Sequence, residues 1–172
     1  MAAASQRTER IRLGALVYNV TYYDPMRLAA EVTMLDHLTK GRVELGVGRG
    51  ISALEATFFN VTSIDQSREI YRENFDALLA ALTAHPTLSF EGKYHSYSDV
   101  PIWIQPVQKP YPPLWFPSSN AGSIEFTASH AFNTVLNNYF SKEVTQGLVD
   151  QYREVFEAHK NDANRLNGHV DK

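Results

Sequence analysis

The chain has no cysteine, which excludes disulfides, a thiolate nucleophile and any cysteine-ligated zinc or iron-sulfur site. It also has little excess charge of either sign: 16 Lys and Arg against 19 Asp and Glu leave a formal net charge of -3. Nothing global therefore draws it to phosphate polymers or anionic lipid, so neither nucleic acid nor a membrane is expected as a partner. No apolar run approaches the roughly 20 residues of a membrane span, and the opening Met1 to Arg7 segment lacks the apolar stretch of a signal peptide. These absences predict a soluble, cytoplasmic protein. The histidines (His37, His85, His95, His130, His159, His169) form no ligand-spaced pair, so no metal site is expected. What is present is 172 residues, 44% hydrophobic and 20% charged, enough for one ordinary core and hence one domain over 1–172.

Three stretches carry helical periodicity. Asp24 offers a cap and Pro25 the preset φ of a first helical position; Leu28, Val32 and Leu35 follow on one face with Met34 and Leu38 beside them, and Gly41 closes the segment. A second runs from about Asp65 to Leu82, with Tyr71, Phe75, Leu78 and Leu82 as its apolar stripe, and a third from about Lys142 to His159, with Val144, Leu148, Tyr152 and Val155. Between them, Ile11 to Tyr18, Arg42 to Val47, Pro113 to Phe116 and Phe132 to Leu136 have the composition of strands. Strand, turn and helix in repetition predict an α/β fold with a parallel sheet, because parallel strands need crossover connections. The proline-rich stretch from Thr83 to Pro112 breaks that rhythm and reads as a long excursion with a small hairpin at Phe90-Glu91-Gly92-Lys93-Tyr94.

The string Gly46-Val47-Gly48-Arg49-Gly50 at the end of the second strand lets the backbone approach a ligand. It is not a dinucleotide fingerprint: the third glycine comes one residue early, and the acidic residues about 20 positions on, Glu69 and Glu73, fall inside an amphipathic helix. Nor does a Lys-Ser or Lys-Thr follow, as a P-loop needs. The plain reading is a tight turn with Arg49 at the surface. The chemical one uses Arg49, beside Gly48 and Gly50, as a bidentate anion ligand. A second anion candidate is the run Ser118 to Ser123, ahead of a helical stretch Ile124 to Ser129, where Ser119, Asn120 and Ser123 either cap the helix or receive a phosphate. Both candidates follow parallel strands, so they belong at the same end of the sheet.

Longer strings resemble one family. Arg7 to Gly14, Asp24 to Glu31, Met34 to Gly50, then Phe90 to Tyr94, Pro112 to Trp115 and Ser118 to Ser123 are similar, in this order, to the bacterial-luciferase-like flavin monooxygenases. The resemblance implies part of a (β/α)8 TIM barrel, with about four parallel strands, flanking helices and the excursion near 83–112. It implies FMN as cofactor, or the deazaflavin F420 as the alternative, with Arg49 at the phosphate and Ser119, Asn120 and Ser123 in the loop that makes further contacts. The excursion would form part of the cover over the flavin.

By the same resemblance the chain begins where the family's second helix is ending, so the first two barrel strands, and the loop that commonly bears an active-site histidine, are missing, and no catalytic residue is assigned. Two function classes follow: a flavin-dependent oxidoreductase acting on a small-molecule substrate, and a non-catalytic half barrel that binds flavin or another subunit. The strands Ile11 to Tyr18 and Phe132 to Leu136 would be bare parallel edges, which recruit other strands. A homodimer, a companion chain or the segment Asn161 to Lys172 is expected to cover them.

Overall fold

The computed structural model describes residues 1–50, 52–136, 139–163 and 165–170. After a short N-terminal helix α1 (Ala2–Ser5), the strands are β1 (Leu13–Asn19), β2 (Val43–Gly48), β5 (Leu114–Ser118) and β6 (Asn133–Leu136), joined in the order β1-β2-β5-β6 with every pairing parallel. Each crossover carries helix: α2 (Pro25–Thr39), then α3 (Ala53–Phe58) and α4 (Ile64–Thr83), then α5 (Ala121–Ser129). A final helix, α6 (Lys142–Ala158), packs on α5. This is the expected α/β fold of four parallel strands. The excursion supplies the antiparallel hairpin β3 (Thr87–Glu91) and β4 (Ser96–Pro101), a separate two-stranded sheet.

Local chemistry sets the boundaries. The Asp24 side chain accepts the Arg27 N–H (2.8 Å) and Pro25 opens α2, while Lys40 in the left-handed region and Gly41 (φ 79°) close it. Serines cap α3, α4 and α6, through Ser52, Ser63 and Ser141. α1, α3 and the 3-10 turn Val20–Tyr22 are too short to leave a periodic signature, and the sequence did not announce them.

The core lies between the sheet and the helices. Leu45 and Val47 of β2, Leu114 of β5 and Phe132 meet Leu28 and Val32 of α2 and Phe75, Leu78 and Leu82 of α4. Alternation puts Glu44, Gly46 and Gly48 on the opposite face of β2, where the Trp115 indole N–H donates to Glu44 Oε2 (2.7 Å). The α2 face departs from the expected one: Met34 and Leu38 are 58% and 42% exposed, and Asp36 and Thr39 are fully buried in their place. The reason is polar. The Asp36 carboxylate accepts Gln108 N–H and Nε2 (2.8 Å each), and Gln108 Oε1 accepts Arg12, which pairs with Glu44. One network therefore ties the excursion to α2 and to both first strands.

No described residue of the excursion borders the cleft beside Arg49. The hairpin turn is held on α4, where the Glu73 carboxylate accepts the N–H groups of Lys93, Tyr94 and His95 at 2.7 Å each and Glu69 accepts Lys93 Nζ (2.8 Å). The last residues behave differently from a strand-edge cover as well. Asn167, fully buried, accepts Leu114 N–H (2.8 Å) and donates to the carbonyls of Leu114 and Ala131, which bridges β5 to the start of β6 from below. The outer edges of β1 and β6 have no strand partner among the described residues. Asn164, Asp171 and Lys172 of that predicted cover lie outside the described residues. No helix among the described residues is long and apolar enough to cross a membrane.

Candidate functional site

The glycines at the end of β2 have reasons in the backbone. A Cβ on Gly46 would stand 2.1 Å from the Ala15 carbonyl oxygen, because β1 is irregular between Ala15 and Tyr18 and crowds its neighbour there. Gly50 takes φ +82° beside the Tyr22 ring, a conformation that L side chains rarely adopt. Gly46 thus lets β2 lie close to β1, and Gly50 turns the chain just after Arg49, which stands half-buried at the carboxyl end of the sheet.

Arg49 borders a cleft of about 640 Å³ between the turn after β2, α3 and the first turn of α4. Its lining holds the hydroxyl residues Ser52, Thr62, Ser63 and Ser67, with Tyr22 and Gly50 near the mouth; Arg49 is its only charged residue among the described ones. The Tyr22 ring stacks on Phe59 (centroids 4.6 Å apart) at one side. Arg49 Nη1 donates to Ser67 Oγ (3.3 Å), and among the described residues no carboxylate pairs with the guanidinium. Arg42, by contrast, is consumed by structure: it donates to the carbonyls of Ser5, Thr8, Ile11 and Thr39. An arginine carries five N–H donors, so Arg49 keeps most of its capacity and its full charge. A cleft with one cation, several hydroxyls and no anion suits a phosphoryl group.

The serine-rich turn stands at the end of β5. Since β2 and β5 are adjacent and parallel, with Gly46 opposite Trp115, the two predicted elements occupy the same end of neighbouring strands. They do not line one cleft: none of Ser119, Asn120 and Ser123 borders the space beside Arg49. Asn120 and Ser123 are occupied by a reciprocal capping box. Asn120 Oδ1 accepts Ser123 N–H (3.0 Å), and Ser123 Oγ accepts the N–H groups of Ser119 (3.1 Å) and Asn120 (3.2 Å). Ser118 points back to Thr127 and Thr134 and is buried.

The residues around Arg49 that sequence reasoning missed are Ser67, Thr21 and Asn74. Thr21 Oγ1 donates to the Arg49 carbonyl (2.7 Å), and Asn74 Nδ2 donates to the carbonyls of Val20 and Tyr23 (2.9 and 3.0 Å). The signal for Ser67 was its place four residues before Tyr71, on the apolar stripe of a predicted helix, where a small polar side chain needs a partner. One turn below it, burial pushes the Tyr71 hydroxyl pKa up, with Asp76 adding to the rise, as that ring packs on Phe75 and Phe116.

Known proteins match this arrangement. The family model described as luciferase-like monooxygenase matches residues 1–168. The chain is 34% identical over 133 residues to the uncharacterized protein y4wF of Sinorhizobium fredii, covering 77% of this chain and 38% of that one. It is 35% identical over 106 residues to limonene 1,2-monooxygenase of Rhodococcus erythropolis (62% of this chain, 27% of that one). To the oxygenase component of flavin-dependent trigonelline monooxygenase from Acinetobacter baylyi it is 25% identical over 160 residues (91% and 44%). Among solved structures, monooxygenase RslO1 from Streptomyces bottropensis superposes with a TM-score of 0.80 at 27% identity, over 92% of this chain and 48% of that one. The chain thus spans less than half the length of these relatives, and its four parallel strands correspond to about half of their fold. Since the family model covers nearly its whole length, the chain belongs to the luciferase-like monooxygenase family.

Proposed function

We propose that this chain is part of a flavin-dependent monooxygenase and supplies the subsite for the phosphate of FMN. The observation that carries the reading is the donor set at the exit of β2: a half-buried arginine without a carboxylate partner among the described residues, facing a cleft lined by hydroxyls. Gly50 borders the cleft, and Gly48 lets the backbone run against Val17 just before Arg49, so both glycines are proposed to shape the approach of a phosphoryl group. Ser119, Asn120 and Ser123 stand at the same end of the adjacent strand and are proposed to add further contacts from there, in exchange for the capping box that now occupies their N–H groups. F420 is the alternative, because it carries its phosphate on the same ribityl chain and Arg49 would read the phosphate, not the ring. Family membership and the likeness to a protein named for flavin dependence support the choice.

Bound reduced flavin supplies the oxygen chemistry. This chain's residues would bind and orient: Arg49 would neutralise the phosphate, and the Tyr22 ring, braced by its stack on Phe59, would border the mouth of the cleft. No residue of the chain is assigned to proton transfer. The protein is proposed to act in the cytoplasm on a small organic substrate, as one domain, with a second copy or a companion chain covering the free edges of β1 and β6.

Titration of the purified protein with FMN and riboflavin tests the reading. A preference for FMN of about tenfold or more is expected from a charge-assisted phosphate contact; equal affinity removes the phosphate role. Oxygen consumption with reduced FMN then separates an enzyme from a module that binds without turnover.

A further inference from the structure

Arginine is a costly ligand unless something holds it, because its long side chain loses up to about 2 kcal/mol of rotamer freedom when it is ordered. A site that orders the guanidinium beforehand shifts that cost to folding and binds more tightly. The carboxylate that commonly does this would also neutralise the charge and compete with an incoming phosphate. A hydroxyl does not.

Ser67 has that role open to it. It is 4% exposed in the first turns of α4, and its N–H is already committed to the Ser63 carbonyl (3.0 Å). A serine buried in a helix ordinarily bonds back to a carbonyl of its own helix. Ser67 instead accepts from Arg49 Nη1, and this is its only side-chain hydrogen bond among the described residues. The backbone of Arg49 is fixed from the other side by Thr21 Oγ1, itself buried, on a loop that Asn74 of the same helix holds through two carbonyls. Helix α4 therefore grips Arg49 at both ends, directly through Ser67 and indirectly through Asn74 and Thr21.

We infer that Ser67 is a positioning residue that holds the Arg49 guanidinium in the cleft, charged and unneutralised, ready for a phosphoryl group. The inference rests on the reading of Arg49 as the phosphate ligand, and its test separates the two. FMN and riboflavin are titrated against the wild type, Ser67→Ala, Ser67→Thr and Ser67→Asp by fluorescence quenching. Ser67→Ala is expected to weaken FMN by about threefold to tenfold, as the loss of one ordinary hydrogen bond acting through Arg49 would, and to leave riboflavin unchanged. Ser67→Thr, which keeps the hydroxyl, restores FMN binding, and Ser67→Asp, which pairs with the guanidinium, abolishes the preference for FMN. Unchanged FMN affinity in Ser67→Ala alongside a loss in Arg49→Ala overturns the inference and leaves the phosphate reading intact. Equal affinity of the wild type for the two flavins overturns the phosphate reading. The positioning itself is then read without flavin, from the heteronuclear NOE of the Arg49 Nε–H group. A high value in the wild type that falls in Ser67→Ala supports it, and equal values in both overturn it.

Discussion

Gly92 lies directly against Glu73: a Cβ on Gly92 would stand 2.5 Å from the carboxylate carbon. Only a residue without a side chain lets the hairpin turn come close enough for that carboxylate to accept three successive N–H groups, those of Lys93, Tyr94 and His95. The excursion is consequently a strut clamped to α4. It contributes no residue to the cleft beside Arg49.

Removing the clamp with Glu73→Ala should cost about 1 to 2 kcal/mol, less than three charged hydrogen bonds would suggest because the group is partly in water. Urea denaturation measures the loss, and amide exchange at Lys93 to His95 should accelerate selectively. Burial pushes the Glu73 carboxyl up, but the three N–H groups and the nearby His95 outweigh it, so its pKa sits below the ordinary 4.5. A carboxyl depressed in the folded state stabilises above its unfolded value and loses that contribution as pH falls through the folded one. Protection of the turn amides should thus be constant above about pH 4.5 and decline below it. Protection that rises on acidification would contradict the assignment.

Replacing Arg49 with alanine should lower affinity for FMN by about 1.5 to 3 kcal/mol while sparing riboflavin, the difference being the phosphate. Isothermal titration with both ligands decides it. Equal losses would place the guanidinium at the ring or at the ribityl chain.

Lys40 closes α2 at φ 56°, ψ 48°, an exposed non-glycine residue in the left-handed region. Relief of its strain outweighs the extra freedom of glycine in the unfolded chain, so Lys40→Gly should stabilise by about 0.5 to 1 kcal/mol. A rise in thermal midpoint with unchanged flavin binding is the expected outcome.

Asn167 is fully buried and gives Leu114 both a donor and an acceptor. Asn167→Ala strands those backbone groups away from water, at a cost of about 2 to 4 kcal/mol. Chemical denaturation should show the loss, and amide exchange should place it at the start of β5 and β6. A change under 0.5 kcal/mol, about the size of an ordinary surface substitution, would mean that water replaces the side chain.

Strands, long helices and family strings could be read directly from the residues, because they depend on neighbours a few positions apart. The alternation of Val43, Leu45 and Val47, the stripe of Phe75, Leu78 and Leu82, and the cap at Asp24 are local facts, and the structure carries them at nearly the expected positions. The hairpin at Phe90 to Tyr94 was equally local. Arg49 could be singled out because glycines surround it, whereas its partner Ser67 was one serine among many.

Which polar side chains go inside was settled only when distant segments met. Asp36 finds Gln108 across 72 positions and Asn167 finds Leu114 across 53, and no periodicity encodes either pairing. The same holds for the hairpin turn, which one carboxylate on α4 holds from about 20 positions away. Apolar burial follows from the order of residues because it is non-directional and repeats with the helix or strand. A buried hydrogen bond needs one particular partner at one geometry, and packing in three dimensions supplies that partner.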